Sequence, residues 1–301
     1  MGKRRRRQAF LLCLLLLFLY IDAALMQQVQ PRDTLDTTEE IEAAMEQQFG
    51  IGEVELAQME PELAQKVYRA FSYMYERYPI LQDKITNVEV EEIPSGAVAK
   101  AEYVEIPSEQ EELYPIRMKQ QVTLGEREFL NEVRLTNLIR KSTADGHWME
   151  GTDVDSIVVH ELEHILLNVI RMERYGLDNF CTITEENEEA FSAYQTDVLS
   201  MNQTTAKEIV DAAYQNYKNS GQTDVTLEEA KEMISGYASG EQDDGGISYE
   251  ETIAEAMVDI YLHGEDATPF SREIIAEMDE NWLFIPFIVS SVAEITQTEI
   301  I

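Results

Sequence analysis

Residues 157–170, IVVHELEHILLNVI, constrain the fold more than any other stretch. Only His160, Glu161, Glu163, His164 and Asn168 interrupt the aliphatic residues. Apolar side chains on nearly every side predict a helix packed into the core rather than one lying on the surface. Asp153 or Asp155 stands where a cap would start it, and Gly176 follows its expected end at Tyr175. His160 and His164 lie four apart and so project from one face. The chain holds only four histidines, His147, His160, His164 and His263. Two of them buried together need a partner that offsets their desolvation, and a metal ion is the simplest.

The spacing H-E-x-x-H is that of two zinc ligands with a general base, because Glu161 beside the first ligand can reach a water on the metal. The alternative, a polar patch on a surface helix, does not suit aliphatic flanks. A catalytic zinc site needs a third protein ligand and an open position. The extended form with glycine at 167 and histidine at 170 is excluded by Leu167 and Ile170. His147 falls in a loop, and His263 ends a helix where the dipole alone explains a cation. Carboxylates are better candidates. In YEETIAEAMVDIY, residues 249–261, Ile253, Ala254, Met257 and Ile260 or Tyr261 mark a buried face, which Glu251 and Glu255 partly share. A solvated acidic face is the competing reading.

Elsewhere, Leu63, Val67, Ala70, Phe71, Met74 and Tyr78 recur at helical spacing from Pro61, and Pro79 ends that helix. Strand-like alternation covers 85–92, 97–106 and 116–124, with a turn at 94–96. Helices are expected over 126–140, 205–217, 227–234, 249–263 and 271–282. Residues 142–152 form a loop, and the apolar run 283–292 a docked tail interrupted by Pro286. This order predicts an α+β protein, a small sheet packed on helices with a helical C-terminal half.

The net charge of −35 argues against nucleic-acid binding. Only the N-terminus is basic: KRRRR at 3–7 precedes the apolar run 9–21, broken by Asp22. That is the layout of a secretory signal, residues 1–26, either cleaved near Ala23 and Ala24 or retained as an anchor. It predicts a secreted protein whose only membrane contact is this segment. Loss of residues 1–24 leaves 18 bases and 57 acids, a net of −39, and Cys181 as the one cysteine, so no intrachain disulfide. Residues 27–52 read as a polar linker, and residues 53–301 as the folded domain.

ETIAEAMVD, taken with HELEH, resembles the gluzincin branch of the zincin-like metallopeptidases, in particular the group containing anthrax lethal factor and zincin-like proteins found with phage head genes. The resemblance implies a zincin-like fold with a small, mostly antiparallel sheet. It implies Zn2+ held by His160, His164 and Glu251, with Glu255 supporting a ligand histidine. Glu161 is then the base. ISGYAS, residues 234–239, matches a Tyr-Ala pair whose tyrosine assists the transition state, here Tyr237, with Tyr249 as the alternative. Glu163 stands where the group more often has a small residue. The 87-residue interval from His164 to Glu251 implies an insertion across 177–225.

The expectation is therefore an exported zinc metallopeptidase acting on a protein or peptide, with the substrate extended along an edge strand at 116–124. A non-catalytic zincin-fold binding protein and a secreted protease toxin with one dedicated target are the rival readings. EQDD at 241–244 reads as a solvated loop rather than a calcium site.

Overall fold

The HELEH segment lies at the middle of the longest helix in the computed structural model, which describes residues 35–56, 58–93, 97–107, 116–177, 184, 186–200, 204–222, 224–240 and 248–283. The described residues from Thr38 to Leu283 form one compact unit. In chain order it runs α1 (Thr38–Phe49), β1 (Glu53–Glu55), α2 (Pro61–Arg77), β2 (Asn87–Glu91), β3 (Ala99–Pro107), β4 (Ile116–Gly125), α3 (Glu126–Phe129) and α4 (Glu132–Ala144). There follow α5 (Val154–Arg174), α6 (Glu188–Leu199), α7 (Thr204–Asn219), α8 (Leu227–Glu232), α9 (Gly236–Ser239), α10 (Tyr249–His263) and α11 (Pro269–Glu277). The protein is α+β: mostly helical, with one small sheet.

Helix α5 is buried along almost its whole length. Its start is fixed by a capping box: the Val154 amide donates to Asp153 Oδ1 at 2.8 Å, and the Asp153 amide to Ser156 Oγ at 2.9 Å. Asp155 is not the cap; it accepts from Arg69 of α2 and from the Tyr261 hydroxyl of α10. Helix α5 packs against α2, α10 and one face of the sheet. The apolar face of α2 supplies Leu63, Val67, Phe71 and Met74 to this core.

The sheet order is β1-β2-β4-β3. The pairs β1–β2 and β2–β4 are parallel, and only β3–β4 is antiparallel. The expectation of a mostly antiparallel sheet is therefore corrected to a mixed one. Strand β1, Glu-Val-Glu, is too short to show a period in sequence. Strand β4 lies between β2 and β3, and both of its faces are covered near its end: Thr123 on one face is as buried as Gln120, Val122 and Leu124 on the other. The expected edge strand at 116–124 is thus internal, and the edges are β1 and β3.

The polar linker read over 27–52 also needs correction. Residues 38–49 form α1, whose Ile41, Met45 and Phe49 recur every four residues and are buried. The Phe49 ring meets Tyr75 and Phe71 of α2 at 4.7 and 6.0 Å between centroids. Frequent acids hid this stripe. The helix expected over 126–140 is two, because Asn131 caps α4 by accepting from the Arg134 amide. The span 177–225 contains α6 and α7, and α7 packs on α10 and α11. Among the described residues no helix is long and apolar enough to cross a membrane. The expected signal at 1–26, the acidic loop at 241–244, the tail at 284–292 and Cys181 lie outside the described residues.

Candidate metal centre

Helices α5 and α10 bring three expected ligands together. His160 Nε2 lies 3.2 Å from His164 Nε2 and 3.0 Å from Glu251 Oε2, and His164 Nε2 lies 3.6 Å from that same oxygen. Among the described residues these three form the one group of histidine, cysteine or carboxylate side chains compact enough to hold an ion. Glu251 is set in place by its helix start, where Ser248 Oγ accepts from the Glu251 amide at 3.1 Å.

Glu255, one turn along α10, stands behind His160, with Oε1 3.0 Å from His160 Nδ1. Its other oxygen accepts from Ser235 Oγ at 2.7 Å. A carboxylate so engaged fixes His160 as the Nδ1–H donor and turns the Nε2 lone pair toward Glu251 and His164. A lone pair facing a carboxylate requires a cation between them, either a proton or a metal. Without metal it is a proton. Burial disfavours charge on His160, but the hydrogen bonds to Glu251 and Glu255 outweigh it and hold its pKa well above the usual histidine range. Burial likewise opposes charge on His164, yet Glu251 lifts it to about 9. Burial raises Glu251, and the two histidines more than reverse that, leaving it well below a normal carboxylate.

The donor set fits a metal. Donors about 2.0–2.1 Å from a tetrahedral zinc stand about 3.3 Å apart. The three observed separations scatter around that value.

Glu161 is buried at the same face and lines a cleft of about 300 Å³. Burial raises its pKa, the positive His160 and His164 lower it, and it accepts a hydrogen bond from the Ala101 amide of β3. The edge strand therefore runs directly past Glu161. Ala97, Val98, Leu138, Trp148 and Ile157 supply apolar walls to the cleft.

Tyr237 on α9 closes the opposite wall. Its ring stacks on His160 with centroids 5.6 Å apart, and its hydroxyl hydrogen-bonds Glu251. Burial and the neighbouring carboxylates of Glu251, Glu161 and Glu255 raise its pKa, so it remains a donor. Two backbone bonds clasp α9 to the loop before α5: Gly236 N to Gly146 O and Tyr237 N to His147 O, both 3.0 Å. A Cβ at Gly236 would fall 2.5 Å from the Gly146 oxygen, so this approach admits only glycine.

Tyr249, the alternative to Tyr237, is placed elsewhere, between the amines of Lys207 and Lys231 at 5.5 and 5.4 Å. His263 pairs with Asp259 at its helix end. His147 is no ligand but lies against the outer face of Tyr237, centroids 4.8 Å apart. Ser235, the Ala101 amide and the Gly236 clasp were not read from sequence; the small residues flanking Tyr237 were the only signal. Comparison of the chain with protein-family models, with curated proteins and with solved structures gave no match.

Proposed function

We propose that this protein is a zinc-dependent metallopeptidase, exported by its basic and apolar N-terminal segment. One observation carries the reading: His160, a member of the His160–His164–Glu251 donor group, lines the same cleft as Glu161 and Tyr237. A zinc ion bound by these donors would act as a Lewis acid and acidify a neighbouring water. Glu161 accepts a proton from the attacking water and returns it to the leaving nitrogen. Tyr237, held protonated, donates to the oxyanion that develops on the substrate carbonyl. Glu255 keeps His160 in one tautomer throughout. An extended peptide adds to the outer edge of β3, which sets its scissile carbonyl beside Glu161. That edge replaces the one expected from sequence, and the apolar cleft walls receive a substrate side chain.

The test is zinc content and cleavage of a peptide library by the wild type, Glu161→Gln and Glu251→Ala. We expect about one zinc per chain in the wild type and in Glu161→Gln, with cleavage lowered at least about 100-fold in the latter. Glu251→Ala should lose both. Zinc without cleavage in the wild type would favour a binding protein, and a folded wild type without zinc would reject the metal reading.

A further inference from the structure

Among the described residues Glu163 has a peculiar environment. Its side chain is completely inaccessible to solvent, and neither carboxylate oxygen has a hydrogen-bond partner. A buried, unsatisfied carboxylate is costly, and the cost is tolerated where the group has a task. The second histidine stands just beyond hydrogen-bond reach: Glu163 Oε2 lies 4.0 Å from His164 Nδ1. His164 turns its other nitrogen, Nε2, toward His160 and Glu251. The ring is therefore oriented with Nδ1 toward Glu163 and Nε2 toward the donor group. His160 shows the completed form of the same relation, with Glu255 at 3.0 Å from Nδ1 and Nε2 facing the group.

We infer that Glu163 is the positioning residue of His164: it accepts a hydrogen bond from Nδ1–H and so presents Nε2 to the metal, as Glu255 does for His160. The contact is about 1 Å longer than a hydrogen bond, and a small tilt of the imidazole closes it. The arrangement gives each ligand histidine its own carboxylate, one from α10 and one from α5 itself. Behind Glu163, Arg171 of α5 donates to Glu250 of α10, so the two helices are tied beside it. The inference rests on the proposed metal centre, but part of its test does not.

The experiment compares Glu163→Gln, which keeps an acceptor oxygen, with Glu163→Leu, which removes it at similar volume. Zinc affinity is measured by competition with a chelating dye. Separately, the His164 Nδ1–H resonance is followed by 15N-edited NMR in metal-free protein, and thermal unfolding is recorded for both. We expect Glu163→Leu to unfold at or above the wild-type temperature, because a buried carboxylate that lacks a close hydrogen bond is gone. It should nevertheless bind zinc about 10–100-fold more weakly and lose the slowly exchanging downfield Nδ1 proton. Glu163→Gln should retain that proton and most of the affinity. Unchanged affinity and an unchanged Nδ1 signal in Glu163→Leu would overturn the assignment, as would equal losses in both variants together with a destabilised fold. A wild type that takes up no zinc would sink the peptidase reading. The NMR comparison would then still decide whether Glu163 holds the ring.

Discussion

At the scale of single residues the centre depends on which imidazole nitrogen carries the proton. His160 is held by Glu255, and Glu255 by Ser235, a chain of contacts from α5 through α10 to the start of α9. Glu255→Ala should therefore weaken zinc binding by about 10–100-fold with all three ligands intact. Glu255→Gln should cost less, since its amide oxygen can still accept; equal losses in a dye-competition assay would show that charge, not orientation, is what Glu255 supplies. Such residues differ in how far sequence reveals them. His160, Glu161 and His164 are legible because helical geometry over four residues is local. Glu251 and Glu255 share a spacing with many acidic surface helices, so only resemblance to a family singled them out. Ser235 and the Ala101 amide were invisible, since their roles arise only when segments far apart in the chain meet. Glu163 looked like an oddity in an otherwise aliphatic segment; its burial next to His164 gives the residue a meaning.

At the scale of elements, α5 carries the site and its N-terminus sets its register. Asp153 caps it and also receives Lys66 of α2 at 2.8 Å. Asp153→Ala should lower stability by about 1 kcal/mol, chiefly through the lost cap, because the half-exposed ion pair adds little. Burial raises the Asp153 pKa, but the Lys66 and Val154 hydrogen bonds and the nearby charges bring it below the usual value. A carboxylate depressed in the folded state stabilises above its unfolded pKa of about 3.9 and ceases to do so as pH falls through the folded value. Chemical denaturation at pH 7 and at pH 3 should thus show the difference between wild type and variant shrinking in acid. A difference that persists unchanged would mean the cap acts without its charge. Helix periods survived translation into structure: α2, α5 and α10 appear within a residue or so of where apolar spacing puts them. Strand order did not, because alternation tells which face of β4 is buried but not that its second face is covered too.

At the scale of the whole molecule, any ligand that binds the folded chain and not the unfolded one raises stability by mass action. Zinc at 100 times its dissociation constant should add about 2.7 kcal/mol. Differential scanning calorimetry with and without chelator should show that shift in the wild type and not in Glu251→Ala. A shift retained in the variant would place the bound ion elsewhere. The acidic surface, net −35 over the chain, should also make the protein a weak, nonspecific sink for divalent cations, so the Glu251→Ala control is essential.

The separation of the donors along the chain has a consequence for biosynthesis. His160 and His164 leave the ribosome as a pair, while Glu251 follows 87 residues later and must still be carried against α5 by the packing of α10. A nascent chain therefore offers a metal two nitrogens for several seconds at ordinary elongation rates. It offers the full set only after nearly the whole core exists. Stoichiometric metal in the purified protein would then serve as a certificate of finished folding, and chains stalled or clipped before α10 would be released empty.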